Sequence, residues 1–233
     1  MLGRFFQHCF WVVLALALAI PKVFAAPSME AVALPTKPVL DGDVANDPAW
    51  HSADAATGFT QVRPFEGRSA SEKTDVFVGY SEDTLFIGVI CYDSEPENLI
   101  ISDGGRDSIT PEVDNFAVVL DSFKDGQNGF VFSTTPSAGE FDGQVVNGGA
   151  GGFGSGGGGF NLNWDASWEV AAEVNDLGWS AEFAIPFKSL RYGGAKVQDW
   201  GINFHRIIAR RNELSFWAPL ARQHNLFRVS EAG

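Results

Sequence analysis

The sequence predicts an all-β fold, an antiparallel β-sandwich of jelly-roll type with one short helix near residues 187–191. Three observations carry this. Apolar and polar residues alternate with a period of two in roughly ten short segments, the mark of half-buried strands. Clusters of Gly, Asn, Asp and Ser separate those segments. Helical signal is confined to Phe187–Arg191, where Pro186 ends a strand and opens a single turn.

Taken in order, Pro27 to Pro38 is a polar, Pro-containing lead-in. Val39-Leu40-Asp41-Gly42-Asp43 reads as a short strand entering a turn, with Trp50 following. Ala53 to Ser71 has no clear period and is expected to wrap the surface. Thr74 to Tyr92 is the clearest hairpin, turning at Ser81-Glu82-Asp83-Thr84. Leu85, Ile87, Val89 and Cys91 lie on one side of its second strand, and Phe86, Ile90 and Tyr92 on the other. A strand apolar on both faces is expected to be central and covered twice. Val113 to Asp121 and Gly129 to Thr135 form the next pair, and Glu140 to Val146 another strand.

Residues 147–159, NGGAGGFGSGGGG, carry too few side chains to pack and read as a loop. The tract lacks the Lys-Ser/Thr that would finish a phosphate loop. Asn161 to Tyr192 follows, with three of the seven Trp. Trp168, Val170, Ala172 and Val174 alternate with Glu169 and Glu173; Asn175-Asp176-Leu177-Gly178 supplies the turn; Trp179, Ala181, Phe183 and Ile185 continue the period. Trp200 to Ile208 is an apolar strand with a bulge expected near Arg206, and Leu214 to Trp217 is the last strand.

Residues 1–25 read as an export signal. Arg4 is its basic start, Phe10 to Ile20 is an apolar run too short for the about 20 residues a bilayer needs, and Val23-Phe24-Ala25 is a cleavage site. The net charge is −13, and losing Arg4 and Lys22 makes it more negative by two. Such a chain is a poor match for nucleic acid, whose phosphates it cannot neutralise. Cys9 leaves with the signal and Cys91 is then alone, which suits an exported bacterial-envelope protein with a buried thiol.

Five segments in register resemble one family. They are Val39-Leu40-Asp41-Gly42 with Trp50; Thr74 to Tyr80 with Leu85 to Val89; Asp114 to Asp121; Gly178 to Phe187; and Trp200-Gly201-Ile202-Asn203-Phe204. Together they resemble the family 9-like carbohydrate-binding domains over roughly residues 39–228. The run from Gly178 to Tyr192 and the segment from Arg206 to Glu213 are similar to the N-terminal domain that precedes large bacterial outer-membrane β-barrels. The resemblance implies a β-sandwich, a carbohydrate partner, a place in the periplasm or outer membrane (or outside the cell), and a following barrel. The expected organisation is a signal peptide at 1–25, a linker at 26–38, the sandwich at 39–228 and the start of a further region at 229–233. In sugar-binding relatives two aromatic clamp residues sit in the loops that correspond here to Ile109–Val113 and Ala218–Leu226. Neither loop contains Trp or Tyr.

Sugars are held by stacking their C–H faces on aromatic rings while amides and charged groups bond the hydroxyls. Asn161, Asn163, Trp164 and Trp168 offer those types in one run, and Arg106 could reach a ligand from the loop before the Asp114 strand. In an extended segment Trp164 and Trp168 share a side about 13 Å apart, suited to two subsites rather than one. Trp168 is read alternatively as core, Trp164 as a lid over the sandwich, and Arg106 as the partner of Asp107. Glu169 and Glu173 share a strand face and raise the question of a glycosidase pair. Glu182 is expected to pair with a nearby arginine. Asp121, Asp125 and Asn128 could coordinate calcium, against the simpler reading of a turn. No other cofactor or metal is expected. The reading is an exported, non-catalytic carbohydrate-binding domain, with a glycoside-hydrolase component and a structural plug for a barrel as alternatives.

Overall fold

The computed structural model describes residues 26–101, 111–149, 158–222, 224 and 228–229. The predicted signal peptide, Arg106 and most of the Gly-rich tract lie outside them. The described residues form two sheets packed face to face, an all-β sandwich as expected. One sheet has five strands in the order β1-β3-β4-β10-β9: β1 Val32–Ala33, β3 Thr74–Tyr80, β4 Thr84–Tyr92, β9 Glu169–Asn175 and β10 Gly178–Pro186. The other has seven, β2-β12-β11-β5-β6-β7-β8: β2 Thr60–Arg63, β5 Asn115–Asp121, β6 Gly129–Thr134, β7 Phe141–Val145, β8 Phe160–Asn161, β11 Gly201–Ile208 and β12 Glu213–Phe216. All pairings are antiparallel except β1 with β3.

Strand β4 lies between β3 and β10 and is covered on both faces. Leu85, Ile87, Val89 and Cys91 enter the core between the sheets, against Phe116, Phe132, Phe183 and Phe204. Phe86 and Ile90 face outward beneath Val44 and Trp50. The Asp41-to-Trp50 segment thus acts as an outer cover for the five-stranded sheet, and removing its apolar area from water is what holds it there.

Five expectations are corrected. Val39 to Asp43 makes a turn rather than a strand. Gly42 adopts φ +91°, and a Cβ there would lie 2.6 Å from the backbone of Ala172 and Glu173. Residues 53–71 do more than wrap the surface. They supply edge strand β2 and bury Phe59 and Val62, whose apolar spacing is too irregular to show a period. The lead-in contributes β1, and Leu34 fills the space above Gly79. β11 runs in register through Arg206, and the irregularity falls one strand over, in the β12–β2 pairing between Leu214 and Ser215, the latter being Arg206's partner. The helical turn after Pro186 is present but shorter, a 3₁₀ turn over Phe187–Ser189.

Candidate functional site

Three polar arrangements stabilise the sandwich before any ligand is considered. Glu182, on the outer face of β10, accepts from the Trp50 indole at 2.8 Å and from the amides of Gly42 and Asp41 at 3.1 and 3.2 Å. Its partners are therefore N–H donors of the covering segment and not the expected arginine. Burial pushes its pKa above the ordinary carboxylate value, against those three donors.

Arg206 is fully buried between the sheets, donating to the carbonyls of Lys73 and Tyr92 at 2.9 and 2.8 Å. Asp93 lies 3.8 Å from it and accepts a bidentate pair from Arg210 at 2.6 Å each. Burial works against the Asp93 carboxylate, but Arg210 and the Glu95 amide outweigh it and hold its pKa low.

Asp142 anchors the Asn161-to-Trp168 segment. One of its oxygens accepts from the Ala166 amide at 3.0 Å and the Trp168 indole at 2.9 Å.

That anchoring decides what the sequence candidates can do. Trp168 is 6% exposed, stacked on Phe183 at 5.7 Å and edge-on to Phe132 at 5.2 Å, so its faces are covered by protein. It belongs to the core, and the subsite reading is corrected for this ring. Trp164 is half-buried, packed on Phe130 at 4.9 Å and Phe132 at 5.9 Å, which makes it a lid at the edge of the core. Asn161 caps the Asn163 amide at 3.2 Å, and the Asn163 side chain is exposed.

Glu169 and Glu173 are exposed on edge strand β9, paired with Ala184 and Ser180 of β10. The proposed calcium ligands close a turn. Asp121 accepts from the Asp125 and Gly126 amides, and Asp125 from the Gln127 and Asn128 amides and the Asn128 side chain. Among the described residues, no group of three or more His, Cys, Asp or Glu is placed to hold a metal ion.

Beside the Trp164 lid, at the same end of the sandwich, lies a hollow of about 670 Å³. Leu120 contributes to its floor and pairs with Phe130, the ring on which Trp164 packs. Val78, Leu85 and Ile202 complete the apolar floor. Its wall is an aromatic cluster absent from the sequence candidates. Tyr192 and Trp200 stand 5.7 Å apart, and Phe187 meets both edge-on at 5.9 and 6.4 Å. Tyr80 and Tyr192 at the mouth are each 40% exposed. Trp200 reads in sequence as the first residue of a strand, and Tyr192 as the residue that follows the helical turn Phe187–Arg191. The available signal was that both aromatics flank a polar loop, residues 193–199, that has no apolar period.

No family model matches the sequence, and no curated protein matches it significantly. Solved structures do match in shape. A carbohydrate-binding module of family 9 from Caldicellulosiruptor kristjanssonii, in complex with cellotriose, superposes with a TM-score of 0.58 at 14% identity, covering 87% of this chain and 90% of that one. The same organism's family 9 module in complex with glucose gives 0.55 at 14%, covering 87% and 92%. A candidate carbohydrate-binding protein from Bacteroides uniformis gives 0.62 at 10%, covering 87% and 94%. At such identities the likeness establishes architecture: this chain has the β-sandwich fold of the family 9 carbohydrate-binding modules.

Proposed function

We infer that this chain is a non-catalytic carbohydrate-binding module acting at the bacterial envelope in glycan uptake or degradation. The observation that carries the reading is the shared fold, since two of the similar structures hold cellotriose and glucose. The hollow beside Trp164 supports it, combining apolar floor, aromatic wall and polar rim at a volume within the about 300–1,000 Å³ of small-ligand sites.

The carboxylates support a binding rather than a hydrolytic role. Glycoside hydrolysis needs two carboxyls about 5–10 Å apart across a cleft. Both Glu182 oxygens are committed to the cover segment, while Glu169 and Glu173 stand exposed on an edge strand. Export is supported by Arg4, the apolar run Phe10 to Ile20 and the Val23-Phe24-Ala25 site.

A glycan array probed with the purified chain tests the reading, with retention of at least one glycan class expected. An array with no retained glycan overturns it. So does turnover of reducing-end-labelled oligosaccharides that Glu169→Gln abolishes. N-terminal sequencing of the exported chain is expected to begin at Ala26.

A further inference from the structure

The hollow brings ring faces, polar groups and space together in one place, and its wall is fixed in advance. Phe187 braces Tyr192 and Trp200 from one side, edge-on to both. The Phe187 amide donates to the Asp83 carbonyl at 2.9 Å, tying the aromatic turn to the β3–β4 turn next to it in the same sheet. The Ser189 hydroxyl donates to the Ser167 carbonyl at 2.7 Å, tying the same turn to the segment behind it. In the loop between the two rings, the Gln198 side chain donates to the carbonyls of Gly193 and Ala195 and accepts from the Trp200 indole at 3.2 Å. Rings held this way lose little freedom when a ligand arrives.

The rim selects the ligand's chemistry. Glu30 and Glu82 are exposed at the mouth, opposed by Lys196, while Asp199 is engaged by Lys124 at 2.7 Å. A rim weighted towards carboxylates repels phosphate, sulfate and uronate groups and accepts hydroxyl donors. The geometry points to a neutral oligosaccharide bound in this hollow, with one sugar ring against the Tyr192–Trp200 wall and its hydroxyls turned to the carboxylates of the rim. The assignment rests on the carbohydrate-binding reading and gives it a location. That location is the Leu120 end of β5, whereas Pro111–Val113 precede the other end, about 20 Å away at roughly 3.3 Å per residue.

The test is calorimetric titration of the full chain with glucose, cellotriose, xylotriose, laminaritriose and trigalacturonate, with tryptophan emission followed in parallel. Binding of a neutral sugar is expected, with an emission shift, and none of trigalacturonate. Tyr192→Ala, at an exposed position, is expected to weaken the neutral sugar about tenfold or more and to abolish the shift. Trp200→Leu is expected to do the same, and Trp164→Ala to change affinity less than about threefold. Neutral-sugar binding that survives Tyr192→Ala and Trp200→Leu but is lost in Trp164→Ala overturns the hollow and leaves the carbohydrate reading standing. Tighter binding of trigalacturonate than of the neutral sugars overturns the rim argument. Failure to bind any sugar here, together with a blank glycan array, overturns both.

Discussion

Glu182 and Trp50 meet at 2.8 Å on the outer face of the five-stranded sheet, a carboxylate accepting an indole N–H across 132 residues of sequence. The contact explains why an Asp-Gly turn followed by a Trp belongs with a Glu in the distant Gly178-to-Phe187 strand. Glu182 satisfies two turn amides and the indole at once, and Gly42 is the residue that lets the turn approach β9.

Replacing that carboxylate should be costly even when its shape is kept. In Glu182→Gln one end of the side chain becomes a donor facing donors. At least one buried N–H then loses its acceptor, at about 1–3 kcal/mol. Urea denaturation should show a lower midpoint with an unchanged slope. Trp50→Phe, made in the Glu182→Gln background, should cost less than it does alone, because the two changes remove the same bond. Strictly additive losses would mean the contact contributes nothing.

The second buried charge group predicts a contrast between two aspartates. Asp93 is enclosed, with Arg210 clamped on it and Arg206 3.8 Å away. Asp93→Asn removes the anion and leaves two guanidinium groups partly uncompensated, a loss of roughly 3–5 kcal/mol for breaking a buried pair. Asp83 and Lys37 form a bridge at 3.0 Å in which both side chains are more than half exposed, and the Asn amide oxygen can still accept from the Ser81 and Thr84 hydroxyls, so Asp83→Asn should lower the melting temperature far less than Asp93→Asn. Parallel thermal melts of the two variants check this, and equal shifts would refute it.

Cys91 sits in the core between β3 and β10, and burial pushes its thiol up to about 12. The thiolate that alkylating agents need is therefore scarce, and the sulfur is out of reach. Iodoacetamide applied to the folded chain at pH 8 should leave Cys91 unmodified in peptide maps, with complete modification after unfolding. Modification at equal rates in both states would place the sulfur at the surface.

Legibility followed burial geometry. β4 could be read because both its faces are apolar over nine residues, and only a central, doubly covered strand tolerates that. β9 and β10 could be read because a two-residue turn, Asp176-Leu177, joins alternating runs, with Gly178 at φ +134° where the turn closes on Cys91 and Asp93. β1 and β2 could not, since edge strands of two and four residues are made by their partners more than by their own pattern. The Asn-rich, aromatic composition around Trp164 draws attention to that segment in the sequence, but none of Asn161, Asn163, Trp164 and Trp168 lines the hollow. The wall of the hollow was not legible. Tyr192 and Trp200 meet only because β10 and β11 belong to different sheets and the loop between them crosses one end of the sandwich. The charge of Glu182 suggests a salt bridge, whereas its partners are backbone and indole N–H groups with no charge to show in a sequence.

His205 makes the stability of this fold depend on mildly acidic pH. The imidazole is 2% exposed on β11, edge-on to Phe216 at 5.5 Å, and burial lowers its pKa from 6.5 to about 4. The fold therefore holds the neutral ring, while the unfolded chain takes up a proton near 6.5. The unfolded state binds more protons between those two values, so stability falls as pH drops through that window. The loss is absent above about 6.5 and complete below about 4, and amounts to about 3 kcal/mol at 1.36 kcal/mol per unit. Asp114 and Glu182, whose pKa values are raised by burial, act in the opposite sense, since their protonated forms favour the fold. Only a difference between variants isolates the histidine. Urea midpoints of the wild type and of His205→Leu, measured from pH 7.5 to 4.5, should converge or cross as pH falls, because the variant lacks the proton that unfolding takes up. Curves that stay parallel across the window would show that His205 titrates alike in both states.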